Sequence, residues 1–261
     1  MTQRSFTHSG TLGDVVSSLV IVKILGGGDF YLKMNNMDNM VLEKLGWPGA
    51  GIHSGRMTEK DYNVLEPLIK SQSYIHSFQK WNGEQVTNEF EEVCRHHQAG
   101  GLKPRNFANQ YASSQGIDAN LYKEQLQQQS WLECENPIKV PNRPIVIARN
   151  THYLDGAPTL NPTWQNWFNS GLANRCVYIG LDHEHAWFED LFKVTVPHYK
   201  TEDMLQMTRV IAGSELFIGN QSSPCGIAIA LGKTSWFETR KNETLDNNEI
   251  YYPFRINIQY F

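Results

Sequence analysis

LFIGNQSSPCGIAIALGK, residues 216–233, opens as a short apolar strand, passes a glycine and four small polar residues, and continues as an apolar helix. The strand covers Leu216 to Ile218 and the helix Pro224 to Leu231, with proline where the first helical turn tolerates it. A second apolar triplet, Ser235 to Phe237, follows at once. A strand that runs straight into a helix and then into another strand is the unit of a parallel sheet covered by helices. Gly219, Asn220, Gln221, Ser222 and Ser223 lie at the carboxyl end of such a strand. Open α/β sheets receive ligands there, and the helix N-terminus favours anions such as diphosphates. The same residues also read as a well-capped helix start. Glu238, at the end of the next strand, is placed to accept hydrogen bonds from ribose hydroxyls.

Working outward, the alternation extends towards the N-terminus. Pro144 to Arg149 reads as a buried strand, Thr163 to Leu172 as a helix and Arg175 to Gly180 as a strand. Residues 182–192 read as a helix, Val194 to Val196 as a strand and Thr201 to Ala212 as a helix. Pro137, Pro141 and Pro144 mark the stretch before these elements as a linker. Two domains are therefore expected, 1–138 and 139–240. The tail, 241–261, shows no clear element and is expected to cross back onto the first domain. In the first half, a helix from Val15 to Leu25 stops at Gly26-Gly27-Gly28, and Phe30 to Leu32 forms a strand. Helices are expected over 59–70, 86–97 and 105–115, with Tyr74-Ile75 a strand between the first two.

HSGTLGDVV, residues 8–16, lies between a very short apolar start and the first helix. Gly10 and Gly13 permit a sharp turn and close approach of the backbone to a ligand. With Ser9 and Thr11 they form a candidate acceptor and phosphate loop at a helix N-terminus. Asp14 suits two roles there, a helix cap or a carboxylate offered to a reacting group. Arg149, at the end of its strand, suits either a diphosphate contact or a structural salt bridge.

Composition narrows the function classes. Of 261 residues, 40% are hydrophobic and 19% charged, which is ordinary for a globular chain and excludes disorder. The net charge of −4 gives no support for a nucleic-acid partner. No apolar run is long enough to span a membrane, and the N-terminus lacks a secretory signal, so a cytoplasmic setting is expected. Cys94, Cys134, Cys176 and Cys225 are widely spaced, as expected of reduced, mostly buried thiols. Gly232-Lys233-Thr234 ends like a phosphate-binding loop, but Ile227 stands where its first glycine belongs. Asp182-His-Glu-His185 reads as the acidic start of a surface helix, with no second cluster to complete a metal site. His96-His97 reads as an exposed helix end. No Asp-x-Asp handle for a divalent metal occurs, and no metal or other cofactor is expected.

Taken together, HSGTLGDVVSSL (8–19) and FIGNQSSPCGIAIALGK (217–233) resemble the two site motifs of the ADP-heptose:lipopolysaccharide heptosyltransferase branch of GT-B glycosyltransferases. YIGLDHEHAWF (178–188) and YKTEDMLQMTRVIAG (199–213) are similar to the segments between them. The resemblance covers residues 139–238 and the opening to about residue 30. It implies an α/β chain with two Rossmann-like domains, their parallel sheets facing across a cleft. It further implies inverting, metal-independent transfer of a sugar from a nucleotide-sugar donor to an acceptor hydroxyl, by default on a glycan or lipid-linked saccharide. Asp14 matches the family's general base, and Ser222 and Ser223 its phosphate-binding turn. Arg149 and Glu238 are placed as diphosphate and nucleoside contacts. Two departures stand out: the family's Asp in the donor turn is Gln221 here, and its following His is Gly226. They suggest a non-catalytic nucleotide or sugar-nucleotide binding protein as an alternative. An epimerase of the same architecture and a transferase acting on a hydroxymethylated DNA base are further alternatives.

Overall fold

The computed structural model describes residues 4–34, 57–91, 93, 107–118, 130–150, 161–238 and 257–261, with the backbone alone at 107–109. Two parallel sheets form. The first holds β1 (Ser5–His8), β2 (Gly28–Leu32), β3 (Ile75–Lys80) and β4 (Asn88–Glu89) in the order β3-β2-β1-β4. The second holds β5 (Ile145–Ala148), β6 (Cys176–Tyr178), β7 (Leu216–Asn220), β8 (Ser235–Glu238) and β9 (Ile258–Tyr260) in the order β6-β5-β7-β8-β9. Seven α-helices are described: α1 (Leu12–Ile24), α2 (Glu59–Lys70), α3 (Phe107–Ser114), α4 (Pro162–Asn169), α5 (Asp182–Phe192), α6 (Met204–Gly213) and α7 (Ser223–Ala230). Strand order reverses between β1 and β4 in one sheet and between β5 and β7 in the other. At such points the carboxyl ends of parallel strands leave a crevice.

The layer between the sheets follows from two unusually apolar helices. Val15 to Val22 of α1 and Cys225 to Ala230 of α7 are buried without a polar face. A helix apolar all round must be covered all round. Each lies on its own sheet, and the two pack against each other. A short strap, Ser130 to Glu133, ties the arrangement together. The Trp131 backbone N–H donates to Ala230 O of α7 (2.9 Å), and its indole N–H donates to Val16 O of α1 (3.2 Å). Tyr74 donates its hydroxyl to Trp131 O (2.6 Å), and Glu133 pairs with Lys23 (3.1 Å). On its opposite face the second sheet carries a separate core, in which Trp164 packs edge-on and stacked among Trp167, Phe168, Phe188, Phe192 and Phe261.

Three expectations differ from what forms. Instead of opening a helix, residues 88–89 make β4, because Ser5 and Thr87 exchange hydrogen bonds that draw the chain to the free edge of β1. Glu91 and Val93 are helical, and 94–97 lie outside the described residues. Val194 to Val196 is no strand: Glu189 takes the Val196 N–H (2.8 Å), and pairing to β6 is a single bridge between Tyr178 and His198. The tail was expected on the first half; its last residues instead add β9 to the second sheet, where Phe261 fills the aromatic core. Residues 239–256 lie outside the described residues.

Replacing Trp131 by Phe keeps most of the packing and removes the indole bond to Val16. Urea unfolding should show a loss of about 1–3 kcal/mol.

Candidate functional site

The loop after β1 is built on a buried histidine. His8 Nδ1 accepts the Gly10 N–H (2.8 Å), so the proton sits on Nε2, which donates to the Tyr111 hydroxyl (2.8 Å). Complete burial among Phe30, Phe90 and Tyr111 keeps the ring neutral and pushes its pKa down to about 3. Gly10 is held between this ring and Asp14: a Cβ there would stand 2.6 Å from His8 Cε1 and 2.7 Å from Asp14 Oδ2. Asp14 Oδ2 accepts both the Thr11 N–H (2.7 Å) and the Thr11 hydroxyl (2.9 Å), so the capping role is realised. Its Oδ1 has no hydrogen bond among the described residues. His8 entered the sequence reading only as the first residue of the motif, and Tyr111 carried no signal, because their contact joins residues 103 positions apart.

The turn after β7 is pinned just as firmly. Asn220 donates to Asn150 O (2.8 Å) and accepts from Asn150 N–H (3.1 Å), clamping the ends of β5 and β7 across the strand-order reversal. Ser222 Oγ donates to Asn220 O (2.9 Å), and both Gln221 and Ser222 are buried. Gly219 serves the sheet, since a Cβ there would fall on the Ala148 carbonyl oxygen. Ser223 is half-exposed and faces the first loop. A Cβ on Gly13 would stand 3.3 Å from Ser223 Oγ. The first turns of α1 and α7 therefore touch, and helical N–H groups that lack intrahelical acceptors gather at one junction. Ser9, Gly10, Thr11, Gly13 and Asp14 lie on one side of it, Ser223 on the other.

Arg149 and Glu238 do not face this junction. Each has the other as partner: Arg149 Nε donates to Glu238 Oε2 (2.5 Å) and Nη2 to Oε1 (2.9 Å). The guanidinium is fully buried and lies over the rings of Trp187 (5.0 Å) and Phe192 (5.1 Å). Strand alternation is the reason. Ile145, Ile147 and Arg149 point to the face covered by α4 and α5, whereas Val146 and Ala148 point to the α6 and α7 side. The salt-bridge reading of Arg149 is the one that forms, and the pair fastens β5 to β8 over β7.

The histidine-rich helix start is also occupied locally. His185 Nε2 bonds Val196 O (2.7 Å), His198 Nε2 bonds Gly180 O (3.0 Å), and the two rings stack at 4.5 Å. Asp182 pairs with Lys200 (2.8 Å). Among the described residues no three His, Cys, Asp or Glu side chains converge as a metal-binding set. Cys134, Cys176 and Cys225 are free thiols, and burial raises the Cys176 pKa to about 12 and that of Cys225 well above the ordinary range. Among the described residues no helix is long and apolar enough to cross a membrane.

Glu238→Gln should cost about 3–5 kcal/mol, because it leaves the Arg149 charge buried without its partner. Exchanging both for Met and Leu should recover part of that loss in the same denaturation assay. His8 should make stability depend on pH. Its folded pKa of about 3 lies below its unfolded value near 6.5. The unfolded chain thus takes up a proton that the folded chain refuses. Stability is complete above pH 6.5 and falls on acidification towards pH 3, by up to about 1.4 kcal/mol per unit. His8→Asn, whose amide oxygen can still accept from Gly10, should show a shallower fall between pH 7 and 5 in urea titrations.

No protein-family model matches the chain, and neither does any curated protein. Solved structures do. The glycosyltransferase family 9 protein of Veillonella parvula superposes with a TM-score of 0.58 at 10% identity, covering 99% of this chain and 85% of its own. E. coli heptosyltransferase WaaC with ADP gives 0.50 at 10% identity, covering 99% and 92%. The dodecameric iron-containing heptosyltransferase TibC of enterotoxigenic E. coli, in complex with ADP-D-beta-D-heptose, gives 0.51 at 12% identity, covering 97% and 62%. With two parallel sheets joined through α1 and α7, this chain has the GT-B fold of the glycosyltransferases it superposes on.

Proposed function

We propose that the protein is a glycosyltransferase, moving a sugar from a nucleotide-sugar donor to an acceptor hydroxyl without a metal and with inversion. The observation that carries this reading is the contact of Gly13 with Ser223, which brings the first turns of α1 and α7 together beside Asp14. The partial positive charge at the N-terminus of α7 suits a diphosphate and the negative charge it gains on leaving. Solved structures of the same fold are glycosyltransferases, two of them with ADP or an ADP-sugar bound, and their likeness supports the reading.

In this mechanism the donor diphosphate lies against the start of α7, with Ser223 as its side-chain contact. The acceptor approaches from the first half. Asp14 Oδ1 takes the acceptor proton as the new carbon–oxygen bond forms and the bond to the diphosphate breaks. A carboxylate suffices, because the proton becomes acidic only as the bond forms. Base and leaving group then lie on opposite sides of the anomeric carbon, which is the requirement for inversion in one displacement. Asn220, Arg149 and Glu238 act as positioning residues, holding the carboxyl ends of β5, β7 and β8 in register beneath the turn. A cytoplasmic setting, where nucleotide sugars are made, belongs to the same reading.

Thermal shift with ADP, UDP, GDP and CDP, and with their sugars, should reveal stabilisation by at least one. Ser223→Asp should weaken that binding at least tenfold by placing a carboxylate at the helix start. Once an acceptor is found, Asp14→Asn should keep donor binding and lose about 10²–10⁴ in turnover. Binding without release of diphosphate from any donor would favour a binding protein. Stabilisation by none of the nucleotides would end the transferase reading.

A further inference from the structure

The face of the first sheet opposite Phe6, His8, Phe30 and Leu32 carries a second cluster at the same carboxyl edge as the Asp14 loop. Alternation along β2 puts Asp29, Tyr31 and Lys33 on this face, away from Phe30 and Leu32, which are buried. Lys33 follows β2, and its N–H bonds His8 O (2.8 Å), one residue before the loop begins. Trp81 follows β3 and bonds Leu32 O through its N–H (2.9 Å). The indole is half-exposed, and its N–H donates to Glu84 O (2.8 Å), which fixes the ring plane. Lys33 Nζ stands 4.6 Å from the ring centre and 3.1 Å from Glu91 Oε1. Glu91 Oε2 in turn accepts from the Thr7 hydroxyl (3.1 Å).

Parallel sheets ordinarily bury both faces under apolar side chains, and a half-open indole locked beside an ion pair does not fit that pattern. It fits ligand recognition. We propose that Trp81, Lys33 and Glu91 form an acceptor subsite for an uncharged saccharide. A pyranose ring offers a flat patch of C–H groups that packs on an indole, and its hydroxyls both donate and accept. Lys33 supplies the charge-assisted donors that hold such hydroxyls, and the buried Glu91 fixes its ammonium in place. Charge decides against a phosphorylated or acidic acceptor. Among the described residues of the group Lys33 is the one cation, against the carboxylates of Glu91, Glu84 and Asp29. The last two also face Tyr31 closely enough to help raise its pKa, after the larger effect of burial. Among the described residues, an added anion here meets more negative than positive charge. The cluster lies across the exit of β1 from Asp14, so a ring seated on Trp81 is a more distant unit of the acceptor than the sugar that reacts.

This proposal rests on the glycosyltransfer reading but is tested apart from it. Saturation-transfer NMR on the whole protein would use maltotriose, cellotriose, chitotriose and lactose as neutral probes, and sialyllactose and glucose 6-phosphate as anionic ones. At least one neutral probe should receive saturation. The signal should fall at least fivefold in Trp81→Ala and largely persist in Trp81→Phe, both with unchanged thermal unfolding profiles or, if Trp81→Ala is unstable, judged on Trp81→Phe against Glu91→Gln. Nucleoside diphosphate binding should be the same in wild type and Trp81→Phe. Binding of anionic probes alone, neutral binding indifferent to Trp81 and Glu91, or no neutral binding at all would overturn the subsite. Loss of nucleotide binding in the wild type would instead overturn the transferase reading.

Discussion

The architecture depends on one constraint: α1 and α7 have no face that tolerates water. With Val15 to Val22 and Cys225 to Ala230 all buried, neither helix can sit on the outside of its own sheet, as a helix with one polar face would. The solution is to place them back to back, so that each covers the other. The two sheets thereby share one apolar layer. Because both helices start at the carboxyl ends of parallel strands, packing them together also brings their N-termini together. The anion-favouring junction is a by-product of where hydrophobic surface had to go.

Around that junction the backbone leaves little slack. The Asn150–Asn220 clamp and the Arg149–Glu238 pair fasten three neighbouring strand ends in the second sheet. In the first sheet a neutral histidine does the equivalent work, gripping Gly10 with one nitrogen and Tyr111 with the other. Both supports are buried and polar, which makes them costly if incomplete and specific when complete. Neither is offered to a ligand. They set the geometry of the less buried groups, Asp14 and Ser223.

Much of this was legible in the sequence, and the limits are physical. The stretch 216–238 announced its strand, turn, helix and strand because every local signal agreed: β-branched and aromatic residues, a glycine, small polar donors, then proline. The cap at Asp14 was equally local. What failed was information that a strand carries only in three dimensions. Alternation says that Arg149 and Ala148 point opposite ways, but not which face each meets, so the sequence left Arg149 between a diphosphate contact and the salt bridge that forms. The strand β4 is two residues long, and its pairing depends on Ser5, far away in sequence. The strand β9 has a weak local pattern and is held by its neighbour β8 and by Phe261 among the tryptophans. His8 and Tyr111 meet only after the fold has closed.

The strap at Trp131 has a mechanical consequence. It bonds to Val16 of α1 and to Ala230 of α7 at once, so the two halves share an axle there. Val16 lies three residues, about 4.5 Å of helix, from Gly13. Any rocking of one half against the other therefore displaces the junction of Gly13 and Ser223 least and the outer rims, near β3 and β6, most. A molecule geared in this way can open at its periphery while the geometry beside the axle hardly changes.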